Sequence, residues 1–368
     1  RSSDTVYRET INGQEAMRII YNPTMIHNWT FNSPTVARYA IEFFEEAMPA
    51  PNPIAASSQI ASLKTAFSVV GAVGLFVFFI NFILVCLRAR PFAVLAAAGP
   101  IGPQETTRRG KAWLWLGMGA SALFAAITFP LMWVVGALVM SDFFNQHQAA
   151  VFGLWSLVTG LFTWFVLWLT YRKYAKAHGL SLREQGVYLS RDKVVPTILL
   201  GVLAAVATYG IVFLVDYLFH TDFHVWLLFG INAFEADKLV LVAQFLPFFL
   251  FFYAVNSVAV NVFNYVRIGK HEWVNTALMA VFNVLGVALL YVWVYSVFLT
   301  SGNTPTDAFM WGLSSWINWL LGMLVILPLA VVVSRIVYKA TRNPYLPAVG
   351  WSILVTAMIC TRNLTELF

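Results

Sequence analysis

Charge is what this chain has least of. Asp, Glu, Lys and Arg together make up 11% of its 368 residues, against about 25% in an ordinary soluble domain. That scarcity excludes a chain that keeps most of its surface in water. Cysteine is nearly absent too: Cys86 and Cys360 are the only two, both inside apolar stretches. With no Cys/His spacing of the metal-binding kind, neither a disulfide framework nor a zinc site is expected. No His pair within the apolar runs suggests haem ligation, and no cofactor is expected. The chain opens on Arg1 and shows no signal-peptide pattern. The expectation is that it begins inside a longer protein or at a processing site.

What the chain has instead is long apolar runs. Hydrophobic residues make up 60% of it. Residues 66–87, AFSVVGAVGLFVFFINFILVCL, carry no charge and are flanked by Lys64, Arg88 and Arg90. About 20 apolar residues cross a bilayer as a helix, so this is the first expected span. Further spans are expected at 112–140 (with Pro130 as a kink), 151–171, 194–219, 239–265, 273–299, 309–333 and 346–360. The last run, with 15 residues, reads as a short packed span or a re-entrant helix. The fold class is therefore mainly α, a polytopic membrane helical bundle of about eight spans over 63–368, preceded by a small α/β segment at 1–48 and a Pro/Ala/Ser-rich linker at 49–62.

The net charge of +6 does not point to nucleic acid, because the basic residues sit in short loops between runs. Loops 88–111, 172–193, 266–272 and 334–345 hold sixteen Lys and Arg, whereas the alternate loops hold only Lys238. By the positive-inside rule the basic loops are cytoplasmic. Residues 1–62 are then extracytoplasmic, as is the C-terminus.

In the soluble segment, residues 5–11 alternate loosely and end at Asn12-Gly13, a hairpin-turn signal. Residues 16–21, AMRIIY, read as a buried strand. A loop holding His27 follows, then Ser33-Pro34, an N-cap with Pro at the first helical position. The next residues, TVARYAIEFFEEAM, place Val36, Ala40, Ile41, Phe43, Phe44 and Met48 at helical spacing. Two strands and one helix are too little to bury a core alone.

The order of last strand, His loop and capped helix over about residues 4–48 resembles the closing unit of an α/β-hydrolase domain. The resemblance implies His27 as the catalytic general base, which would take a proton from a serine hydroxyl and return it to the leaving group. It also implies ester or amide hydrolysis, or acyl transfer, on a lipophilic substrate. The chain departs from that family in lacking a G-x-S-x-G nucleophile elbow. The look-alikes GMGAS, ending at Ser121, and GLSSW at 312–316 lie in expected spans and lack the second glycine. Asp4 is the only Asp before His27. Under this reading an upstream or cleaved hydrolase segment supplies the Ser and the Asp. Otherwise His27 is a surface-loop histidine; Asn28-Trp29-Thr30 also forms a glycosylation sequon.

Two other constellations stand out. Asp216, His220, Asp222, His224, Glu235 and Asp237 lie between the fourth and fifth runs, with the two His four residues apart, on one face if the helix continues; such a set could bind a metal such as zinc, but His spaced by four also arises by chance, and no metal is assigned. The segment VWLLFGINAF could lie flat on the outer interface. Amides are also frequent inside the spans: Gln244, Asn256, Asn261 and Asn264 in the fifth, Asn275 and Asn283 in the sixth, Asn318 in the seventh and Asn81 in the first. They read as interhelical hydrogen bonds or as the wall of a polar cavity. Three functions thus remain open: the membrane part of an extracytoplasmic serine-hydrolase-like protein; a transporter or channel with a polar cavity between the fifth and sixth spans; and a membrane scaffold subunit. The partners expected are the lipid bilayer and, in the first case, the hydrolase segment; nucleic acid is not.

Overall fold

A computed structural model describes residues 2–25, 27–225, 228–302, 317–363 and 365, the side chains of 27–29 excepted. The chain divides into two compact units, Arg1–Gly71 and Ala72–Phe368.

The first unit begins with an antiparallel hairpin of β1 (Tyr7–Ile11) and β2 (Gln14–Arg18). Its turn is the expected Asn12-Gly13, both residues at positive φ (52° and 76°), as a two-residue hairpin turn requires. That turn fixes the register from Ile11↔Gln14 to Tyr7↔Arg18. Pairing stops there, so the strand expected at 16–21 is shorter and shifted, and Ile20 lies outside it, half exposed. The buried strand expected here is not one: its residues are exposed or at most half-buried. A 3-10 turn, His27–Asn32, leads into helix α1 (Pro34–Ala47). Ser33 caps α1 as its sequence implies, its side chain accepting from the Val36 N–H at 3.4 Å. Hairpin and helix alone do not make an α/β-hydrolase sheet.

The second unit is helical. Counting the first span, which begins in the first unit, eight helices among the described residues are long and apolar enough to cross a membrane: Ala61–Cys86, Arg108–Leu138, His147–His178, Arg191–Phe219, Lys238–Phe263, Glu272–Ser301, Ile317–Thr341 and Tyr345–Arg362. This fits an integral multi-pass protein. Several run past their expected ends. The third continues to His178 through a π-helical turn, Tyr171–Ala175. The fifth also ends in a π-helical turn, Ala259–Phe263. The seventh extends to Thr341, so Arg335 is a helix residue inside the bundle rather than a loop residue; its expected start at 309–316, including GLSSW, lies outside the described residues.

The eighth span has 18 residues and is the most buried of the eight. It nests because its crossings use small residues, as helix pairs in lipid favour. A Cβ on Gly350 would sit 2.7 Å from the Phe79 ring and 3.0 Å from the Gly201 carbonyl oxygen. Phe79 and Trp351 pack edge to face with ring centroids 6.2 Å apart.

Between the fourth and fifth spans, β3 (Phe223–Val225) pairs with β4 (Phe229–Ile231). Phe229 and Ile231 are buried, and Phe229 packs on Phe76 at 5.2 Å between centroids. The segment expected to lie flat at an interface is thus tucked into the bundle, with Trp226 outside the described residues. The segments between spans at the basic end are tied to one another: Ala97 N–H donates to Ala340 O (2.8 Å) and Gln104 N–H to Tyr265 O (2.8 Å), and the Tyr345 hydroxyl donates to Val187 O (2.8 Å).

Candidate functional site

Three arrangements are candidate sites. The first is the His27 segment. His27 opens the 3-10 turn just before the Ser33 cap, and its side chain lies outside the described residues. Around it the segment is held by polar and ring contacts. Arg8 of β1 reaches Glu15 of β2 at 2.6 Å and pairs with Glu46 of α1; the two carboxylates push its guanidinium up from its ordinary pKa. Tyr21 stacks on Tyr39 of α1, centroids 4.4 Å apart and planes within 4°. Burial, then the Glu42 carboxylate, pushes the Tyr21 hydroxyl up from its ordinary value. Among the described residues up to Gly71, none that is apolar is buried; Phe31 is 81% exposed and Phe44 55%.

The second arrangement is a cavity of about 100 Å³ walled by the second, third, fifth and sixth spans, with Leu327 of the seventh. It is wider than the cleft expected between the fifth and sixth spans alone. Its polar wall holds Asn256, Asn264 and Asn283 with Ser121, Thr159 and Thr163. Its apolar wall holds Trp113, Trp155, Phe252, Phe263, Met279 and Phe282. Among the described residues, no Asp, Glu, Lys, Arg or His lines it. Asn283 donates to Met279 O (3.0 Å) and Thr159 to Trp155 O (2.6 Å) of their own helices, leaving their oxygens as acceptors. The Trp155 indole is fixed by donating to Ala125 O at 2.9 Å. A second, smaller cavity of about 70 Å³ shares Trp113, Thr170, Phe263 and Asn264 with the first, and adds Glu105, Tyr174 and His178 at the basic end of the bundle.

The third arrangement lies behind the π-helical turn of the fifth span. Arg335 is 3% exposed. Its Nη2 donates to Val260 O and to Asn275 Oδ1, each at 2.9 Å. The widened turn puts Val260 against the cavity while its carbonyl turns to Arg335; such turns often mark functional sites. Arg335 lies flat over the Tyr265 ring, 3.5 Å from its centroid. The Tyr265 hydroxyl donates to Glu272, which also accepts from Lys339 at 2.6 Å. Burial and then the Glu272 hydrogen bond push that hydroxyl up from its ordinary pKa. Beside this centre, Asn261 donates to Ser334 Oγ (2.6 Å) and Ser257 Oγ (3.2 Å).

The intramembrane amides thus divide. Asn261 and Asn275 make interhelical hydrogen bonds, one of the two expectations for these amides. Asn256, Asn264 and Asn283 line the cavity. Asn81 donates to Val77 O of its own helix (2.8 Å), and the half-buried Gln244 has its Oε1 buried without a partner among the described residues. The acidic and His constellation does not assemble: the fourth span ends at Phe219, His220 takes a left-handed φ of 48°, and His224 falls on β3, so the two His share no helix face. Among the described residues no three His, Cys, Asp or Glu side chains group as metal ligands would. The Arg335–Tyr265 centre was missed at the sequence level because a basic residue near the end of a run counts as a loop charge. The apolar residues on both sides of it, in VVVSRIVY, were the available signal.

No family model, curated protein or solved structure matches the chain.

Proposed function

We propose that this chain is the membrane part of an extracytoplasmic serine-hydrolase-like protein, in which residues 1–48 complete an α/β-hydrolase fold. One observation supports this above the others. The hairpin, the His27 turn and the Ser33-capped helix hold together by ion pairs and ring stacking, yet no described apolar residue among them is buried. A segment that orders its elements but leaves its apolar faces bare is one that packs against more protein. That protein supplies the serine and the aspartate.

The role of His27 follows from its chemistry. Its imidazole takes the serine Oγ proton as the oxygen attacks the ester or amide carbonyl, and passes that proton to the departing alcohol or amine. Water, or an acceptor alcohol, repeats the sequence in reverse to release the acyl group. With residues 1–62 extracytoplasmic and the basic loops cytoplasmic, the bundle anchors this module to a bilayer, in which lipophilic substrates concentrate. The test is a fluorophosphonate probe applied to the native protein with its associated polypeptides. Covalent labelling of a serine on this protein or a tightly bound partner, slowed in His27→Ala, is the expected result; labelling unaffected by His27→Ala overturns the assignment.

A second reading is favoured by the cavity: a transporter or channel whose polar chamber is shared by four spans and has Trp113 and Phe263 in common with a smaller cavity at the basic end. Solute flux in proteoliposomes, lost on filling the chamber with Ser121→Phe, tests it.

A further inference from the structure

We infer that the cavity between the second, third, fifth and sixth spans is a binding site for an uncharged amphiphile, an acyl chain carrying a small hydroxyl- or ester-bearing headgroup of the monoacylglycerol kind. This names the occupant of the chamber on which the transporter reading rests, but it does not require transport.

The side-chain amides of Asn256 and Asn264 border the cavity and have no hydrogen-bond partner among the described residues. Both residues are half-buried, so their amides stay open to a ligand that enters the chamber. Asn256 on the fifth span and Asn264 just past its end both line the chamber, with the π-helical turn Ala259–Phe263 between them. Asn283 on the sixth span offers its amide oxygen, since its Nδ2 is already bonded to Met279 O. The polar wall therefore presents both donors and acceptors. That pattern suits hydroxyl and ester oxygens, which also do both.

The rest of the lining sets the other half of the ligand. Phe252, Phe263, Met279 and Phe282 supply its apolar lining, and Phe282 meets the part-exposed Trp115 at 5.7 Å between ring centroids. A volume of about 100 Å³ holds a headgroup and not a whole lipid, so the acyl chain lies along this apolar side and leaves through the open part of the cavity.

Charge is excluded by the lining itself. A carboxylate or ammonium would enter with no counter-charge on the wall, and burying an unpaired ion costs several kcal/mol. Arg335, the cation nearest by connectivity, does not line the chamber; it spends its Nη2 on Val260 O and Asn275 Oδ1 behind that wall.

The experiment uses the full chain in phosphatidylcholine nanodiscs with a diazirine-bearing monoacylglycerol as the probe, and maps photolabelled residues by mass spectrometry. Labelling is expected to concentrate on 113–125, 155–170, 252–264 and 279–287. Unlabelled monooleoylglycerol should compete, while oleate should compete at least tenfold less well. Asn256→Leu with Asn264→Leu should lower labelling about tenfold. Ser121→Phe, which fills the chamber and leaves the amides in place, should abolish it. Melting temperatures of the variants near wild type show that the bundle is intact. Labelling spread over lipid-facing residues and unchanged in both variants overturns the inference, as does oleate competing equally. Labelling as expected without any solute flux leaves this site standing and removes only the transporter reading.

Discussion

The guanidinium of Arg335 lies over the ring of Tyr265, 3.5 Å from its centroid, inside the bundle and without a carboxylate in salt-bridge range among the described residues. A buried cation ordinarily demands an acid. Here a ring face, a backbone carbonyl exposed by a π-helical turn and an asparagine oxygen take its place. Cation–π attraction is worth about 2 kcal/mol or more when the pair is desolvated.

A double-mutant cycle measures that attraction. Arg335→Met and Tyr265→Leu, made singly and together, should show a coupling of about 2 kcal/mol in unfolding free energy. Tyr265→Phe keeps the ring and loses only the hydroxyl on Glu272, so it should retain most of the coupling. Strict additivity of the two single changes would show that the stacking contributes nothing.

The loop between the third and fourth spans offers a sharper steric test. Gly186 has a φ of +76°, and a Cβ there would fall 1.8 Å from the Arg342 carbonyl oxygen. Gly179 has a φ of +83° with open space around it. Both substitutions to Ala incur the left-handed backbone penalty, about 1–2 kcal/mol. Only Gly186→Ala adds a clash with backbone, so it should cost more than about 4 kcal/mol, seen as loss of monodisperse protein or a large fall in melting temperature. Equal effects at the two sites would contradict the close approach of this loop to the seventh span's end.

Orientation is tested by thiol labelling in intact cells. Asp142 and Arg183 are both exposed, at opposite ends of the third span. The positive-inside rule expects the basic loops to be cytoplasmic; Asp142→Cys should then react with an impermeant maleimide and Arg183→Cys only after permeabilisation. The reverse pattern would place the His27 segment in the cytoplasm.

The spans were legible because a bilayer demands long uncharged runs, and the hairpin because Asn12-Gly13 suits few other structures. The ends of the spans were less so. Lys, Arg and Tyr side chains continue a helix past its apolar run, as at Arg172 and Arg335, and no periodicity marks where the π-helical turns fall. Asn256 and Asn261 look alike in sequence, yet one borders a cavity and the other is bound to Ser334. What separates them is the turn Ala259–Phe263 and a residue 73 positions away. The pairing of His220 with His224 failed for a local reason: the helix closed at Phe219 in a left-handed cap, which residue spacing cannot foresee. Ser33 and Pro34, by contrast, announced their helix start because capping is chemistry within four residues.

The proposal for His27 stands on one rate comparison. Hydrolysis of a fluorogenic acyl ester is measured for the native protein with its associated polypeptides, beside His27→Ala, His220→Ala and His224→Ala. Loss of the positioned base should lower the His27→Ala rate by about 10²–10⁴-fold, with membrane insertion intact and the other two variants near wild type. Absence of hydrolysis in the wild type, or hydrolysis that persists without the His27 imidazole, would contradict the account.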